Sequence, residues 1–89
     1  MTYLIRRTTR FKKDVKRVLK RGKDIDLLLS VVQELAAGHS LAKQFVDHPL
    51  KGQYINKRDC HIEPDWILIY TIEDDELVLY RTGSHADLF

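Results

Sequence analysis

The chain has 89 residues, 44% of them hydrophobic and 31% charged, which suits one compact domain (residues 1–89) and argues against disorder. Its net charge is +2 and its only cysteine is Cys60, which excludes an internal disulfide and a cysteine-built metal site. No apolar run approaches the roughly 20 residues of a membrane span, and basic residues interrupt the amino-terminal stretch from Met1 to Arg7 before any signal-peptide core forms, so a cytoplasmic protein with no membrane role is expected.

Tyr3-Leu4-Ile5 reads as a short first strand. Thr8 or Thr9 then caps a helix in which Phe11, Val15, Val18 and Leu19 form one apolar stripe at i, i+4, i+7 and i+8. The opposite face carries Lys12, Lys13, Lys16, Arg17, Lys20 and Arg21, and Gly22 breaks the helix. Residues 1–23 hold ten Lys and Arg against one Asp, a local net of +9. Such a block suits a nucleic-acid backbone or an acidic partner protein, and it also suits a plain solvated helix face.

A second helix runs from an Asp24 cap to about Ala37 and ends at Gly38, with Ile25, Leu28, Leu29, Val32, Leu35 and Ala36 on its apolar side. The period then changes. Tyr54 to Ile62 alternates as a strand, Glu63-Pro64-Asp65 turns, Trp66 to Ile72 is apolar on both faces like a central strand, and Leu77 to Thr82 returns after the acidic turn 73–76. The fold class is α+β: one strand, a two-helix hairpin, then an antiparallel meander.

Pairing Ile72 with Leu77 across the acidic turn sets Leu68 opposite Arg81 and Trp66 opposite Gly83. That register predicts Trp66 beside Arg81, with Asp65 and His85 at the same end of the sheet. With Ile62 opposite Trp66, His61 faces Ile67 and points away from Arg81; a one-residue slip brings it to Arg81's face. These residue types fit RNA cleavage without a metal. Imidazoles exchange protons near neutral pH, arginine pairs with phosphate and an aromatic ring stacks a splayed base. Each also has an ordinary reading: a structural histidine, a core tryptophan, or an Arg81–Asp65 ion pair. His39 is placed in a loop with no catalytic role. The histidine spacings of 13 and 24 residues match no compact zinc-ligand pair.

Three segments add to this. Asp47-His48-Pro49-Leu50-Lys51-Gly52, the run from Arg58-Asp59-Cys60-His61 through Glu63-Pro64-Asp65-Trp66 to Tyr70, and Arg81-Thr82-Gly83-Ser84-His85 through Phe89 together resemble the YafQ branch of the RelE-type toxins over essentially the whole chain. The resemblance implies a RelE-like fold and a ribosome-dependent mRNA endonuclease that works without cofactor or metal. In that reaction 2′-hydroxyl attack leaves a 2′,3′-cyclic phosphate or a 3′-phosphate. It implies a site of His48, His61, Asp65, Trp66, Arg81, His85 and Phe89. His85 is expected as general acid, Arg81 as transition-state clamp, and Asp65 or His48 as base. His61 is a second proton-transfer or orienting group, and Trp66 and Phe89 position substrate. The implied partners are mRNA at the 16S rRNA decoding site and a cognate antitoxin whose acidic segment folds on binding. Operator DNA is contacted only as the toxin–antitoxin complex. A non-catalytic rRNA- or antitoxin-binding module and a metal-dependent nuclease are the competing readings.

Overall fold

The apolar run Trp66–Glu73 forms the centre of a five-stranded sheet in the structure, a computed structural model that describes residues 2–89. Met1, the first residue of the basic amino-terminal stretch, lies outside the described residues. The strands are β1 (Leu4–Arg7), β2 (His48–Pro49), β3 (Arg58–Glu63), β4 (Trp66–Glu73) and β5 (Glu76–Gly83), in spatial order β1-β5-β4-β3-β2. The β2-β3-β4-β5 part is antiparallel, whereas β1 lies parallel to β5. The sheet is therefore mixed, because the chain comes back beside β1 only after two helices and three further strands. The strand expected from Tyr54 is shorter, since Gly52–Tyr54 is a 3-10 turn and pairing begins at Arg58.

Helices α1 (Thr9–Lys20) and α2 (Ile25–Ala36) follow their caps: Thr8 accepts from the Phe11 amide, and Asp24 from the Asp26 amide. Both stop at a glycine with positive φ, Gly22 at 84° and Gly38 at 81°. The next amides, Lys23 and His39, reach back to the carbonyls of Val18 and Glu34, the left-handed cap that glycine adopts without a Cβ clash. The helices bury Phe11, Val18, Leu28, Val32 and Leu35 against Cys60, Trp66, Leu68, Leu77 and Leu79 on one sheet face. The other face is thinly covered, with Ile67, Ile69 and Leu88 packed by Leu50, Tyr54 and Tyr80. A four-residue helix, α3 (His85–Leu88), lies at the end of β5. No helix is long and apolar enough to cross a membrane.

Candidate active site

A β-bulge decides which side chains meet. From the acidic turn the β4–β5 register runs Ile72 to Leu77, Thr71 to Val78 and Tyr70 to Leu79, as expected. Tyr80 is then an extra residue, and pairing resumes with Ile69 to Arg81, Leu68 to Thr82 and Ile67 to Gly83. The expected pairs Leu68–Arg81 and Trp66–Gly83 are thus wrong by one residue, which in a strand means the opposite face. A second irregularity between His61 and Glu63 keeps His61 opposite Ile67 and sets Glu63 opposite Trp66. Because Ile67, Ile69 and Arg81 now share the thinly covered face, His61 lies on Arg81's side of the sheet.

On that face the three histidines form a row. The His48 and His61 rings are 6.4 Å apart, His61 and His85 meet edge-on at 5.5 Å, and His85 is 6.2 Å from Phe89, which packs edge-on against Tyr54 at 5.5 Å. His85 opens α3, and Asp65 holds it twice, accepting from the His85 amide at 2.9 Å and facing its Nδ1 at 2.6 Å. Those two hydrogen bonds keep the Asp65 carboxyl below its ordinary pKa. With Nδ1 committed to the carboxylate, Nε2 is the ring nitrogen left for another partner.

His48 is held from both sides. Its Nδ1 lies 2.7 Å from the Val46 carbonyl, and its Nε2 lies 3.0 Å from Asp59 Oδ1. The preceding residue anchors the segment: Asp47 accepts from the Tyr70 hydroxyl at 2.8 Å and from Arg58 Nε at 3.0 Å. Asp59 is a site residue that sequence reasoning missed, although its i, i+2 relation to His61 in a strand was a usable signal. It is 3% exposed. The His48 contact has an ion-pair distance but lies off the hydrogen-bond line, leaving Asp59 Oδ1 buried without a hydrogen-bond partner. Burial pushes the Asp59 carboxyl up, and His48 and His61 pull it partly back.

Arg81 is not paired with Asp65. Its Nε and Nη2 bond to Asp14 of α1 at 2.7 and 3.2 Å, and Nη1 reaches toward the Tyr54 hydroxyl at 3.5 Å. The Asp14 hydrogen bonds hold Arg81 protonated against partial burial, and Nη1, toward Tyr54, is the part of its fork outside the carboxylate contact. Trp66 is a further correction. It is 1% exposed on the helix-covered face, and its indole N–H donates to Thr82 Oγ1 at 2.9 Å, so no ring face is open to stack a base. Phe89 is exposed at the edge of the histidine row. Of the basic face, Lys12, Lys13, Lys16 and Lys20 are exposed, whereas Arg17 and Arg21 turn to Asp87 of α3. They are ion-paired, not free cations. His39 sits apart from the site and pairs with Glu34. Among the described residues no three His, Cys, Asp or Glu side chains are arranged to hold a metal ion.

The fold and this site can be set against known proteins. Residues 3–89 match the family model described as "Bacterial toxin of type II toxin-antitoxin system, YafQ". The chain belongs to the YafQ toxin family. Over 80 residues, 89% of this chain and 87% of its relative, it is 45% identical to the mRNA interferase toxin YafQ of Escherichia coli strain K12. The toxin in the E. coli DinJ–YafQ toxin–antitoxin complex is 41% identical, with a TM-score of 0.91 over 100% of this chain and 99% of that one. A metal-bound toxin from Helicobacter pylori is 43% identical, with a TM-score of 0.91 over the full length of both chains. The YafQ resemblance of the three segments was therefore correct, as was the α+β architecture.

Proposed function

We propose that this chain is the toxin of a type II toxin–antitoxin pair and an endoribonuclease that cuts mRNA on the ribosome by 2′-hydroxyl attack, without a metal. The observation that carries the reading is the row of three imidazoles on an open sheet face, with Asp65 setting the tautomer of His85. Two groups able to exchange protons, a cation on the same sheet face and open access to that face are what the reaction needs.

His85, with Nδ1 tied to Asp65, is the general acid that protonates the leaving 5′-oxygen through Nε2. Asp65 orients it and is a poor base, since its carboxylate is stabilised by two hydrogen bonds. His48 has both ring nitrogens near partners. His61, between the other two rings, is the better placed base for the 2′-hydroxyl, with His48 and Asp59 supporting it electrostatically. Arg81 offers Nη1 to the phosphate, and Phe89 walls the site. The exposed lysines of α1 contact rRNA or an acidic antitoxin segment. The antitoxin reading draws support from the E. coli relative's complex with DinJ, and the ribonuclease reading from the interferase name of its curated relative. Operator DNA would then be met only as the toxin–antitoxin complex.

Induced expression in a bacterial host tests this with wild type, His85→Ala and Arg81→Ala. Growth arrest and mRNA cleavage should be lost in both folded variants, and purified protein dialysed against chelator should still cut ribosome-bound mRNA in buffer whose magnesium keeps the ribosome intact. Cleavage lost on that dialysis and restored by a transition metal at constant magnesium would replace imidazole chemistry with metal chemistry. Unimpaired variants would refute His85 and Arg81 as catalytic groups, and growth arrest without cleavage by the wild type would leave only a binding module.

A further inference from the structure

We infer that one side of helix α1 is a positioning device for the reaction: Asp14, Arg17 and Arg21, with Asp87 of α3, hold Arg81 and His85 in place. The inference rests on the ribonuclease reading above. Asp14, Arg17 and Arg21 stand at i, i+3 and i+7, one line along the helix. They form a continuous chain of alternating charge with the site. Asp14 takes the Arg81 fork and, through Oδ2, the Thr82 amide at 3.2 Å. Thr82 lies beyond the stretch of β5 that β1 pairs with, so Asp14 satisfies an edge amide that no strand reaches. Arg17 bridges onward, 3.8 Å from Asp14 and 3.5 Å from Asp87. Arg21 then closes on Asp87 with two contacts, 2.5 and 3.0 Å.

Asp87 matters because α3 has four residues, too few to hold a helix by themselves. Its fixed points come from outside or from its cap. Ser84 and Asp87 form a reciprocal capping box, and Gln53 and Tyr54 both donate to the Leu88 carbonyl. Asp87 is thus shared between the cap that starts α3 at His85 and the arginines of α1. Gly83 lets it approach, since a Cβ at that position would stand 2.8 Å from Asp87 Oδ2. Movement of Asp87 shifts the helix that begins at His85 and leads into Phe89. Loss of Asp14 frees the guanidinium of Arg81 to swing. The basic helix therefore has two jobs on two sides, with its lysines outward and this ionic line inward.

The test compares cleavage kinetics of full-length Asp14→Asn, Arg21→Met and Asp87→Asn on ribosome-bound mRNA, with Arg6→Met as a charge-loss control. Among the described residues Arg6 pairs with Glu73 and Glu76, at the hairpin end of the sheet. Misplacement of a reacting group by an ångström costs on the order of 100-fold. The three network variants should therefore lose about 10- to 100-fold in kcat, with KM for the ribosome within about threefold. Arg21→Met and Asp87→Asn should be non-additive, since both break one contact. The His85 ring signal should move in the proton NMR spectrum of Arg21→Met. Arg21→Lys, which keeps one donor, should recover part of the rate. Folded Arg21→Met and Asp87→Asn proteins with unchanged kcat overturn the inference, whatever Asp14→Asn does to folding. A raised KM with kcat intact overturns it too, by making Arg21 a contact residue. A wild type that cuts nothing refutes the function itself, whereas a cutting wild type beside unimpaired variants refutes only the network.

Discussion

Replacing Trp66 by phenylalanine separates a core role from a base-stacking one. The indole is 1% exposed, and its N–H donates to Thr82 Oγ1, which itself donates to the Ile67 carbonyl. Phenylalanine keeps an aromatic plane that still stacks on a base but removes the donor and shrinks the ring. Thr82 keeps its own donation, so the loss is one neutral hydrogen bond, about 1 kcal/mol. The volume left by the smaller ring adds about 1–2 kcal/mol. The sum, about 2–3 kcal/mol, lowers Tm by about 10–20 °C in a domain of this size. Circular dichroism melts measure that fall, and cleavage assayed well below both transitions measures the function. The rate there should stay within about twofold of wild type, as expected when no interaction special to the transition state is removed. A melt that does not move, with cleavage reduced about tenfold or more, would refute the placement of Trp66 in the core and return it to the substrate.

Three other outcomes follow from the same geometry. Arg21's guanidinium and the Ser84 cap hold the Asp87 carboxyl well below its ordinary value, so its contribution to stability is full above the ordinary Asp pKa, about 3.9, and fades as pH falls below it. Asp87→Asn should thus be less stable than wild type near neutrality by about 1 kcal/mol, the worth of a cap, with the two urea midpoints converging in acid. Burial pushes the Cys60 thiol up to about 12, so thiol reagents at about pH 8 should label the native protein only at its unfolding rate and label it at once in denaturant; rapid native labelling would contradict the burial. Tyr70→Phe removes one of the two side chains that tether Asp47 and hence the His48 segment, at about 1 kcal/mol, and should lower cleavage several-fold while leaving ribosome binding unchanged in a pelleting assay.

Much of the frame was legible in the chain itself. Apolar spacing placed both helices, Thr8, Asp24, Gly22 and Gly38 marked their ends within a residue, and the run from Trp66 to Ile72 marked the central strand, because caps and periodicity are local physics. The helix α3 was also signalled locally, by serine and aspartate three residues apart at 84 and 87, a signal sequence reasoning did not use. Residue type and motif singled out the three histidines, whose rings the structure sets in one row. What the sequence could not decide was the face each side chain takes. A single extra residue at Tyr80 moves Arg81 from Trp66's side of the sheet to that of His61, and no local preference marks it, since a bulge is chosen by packing on both faces at once. Nor do spacing rules join residue 14 to residues 81 and 87, which lie 67 and 73 positions further along the chain. Only the packing of α1 along β5 turned one aspartate in a basic helix into the partner of Arg81, and two of that helix's arginines into the partners of α3.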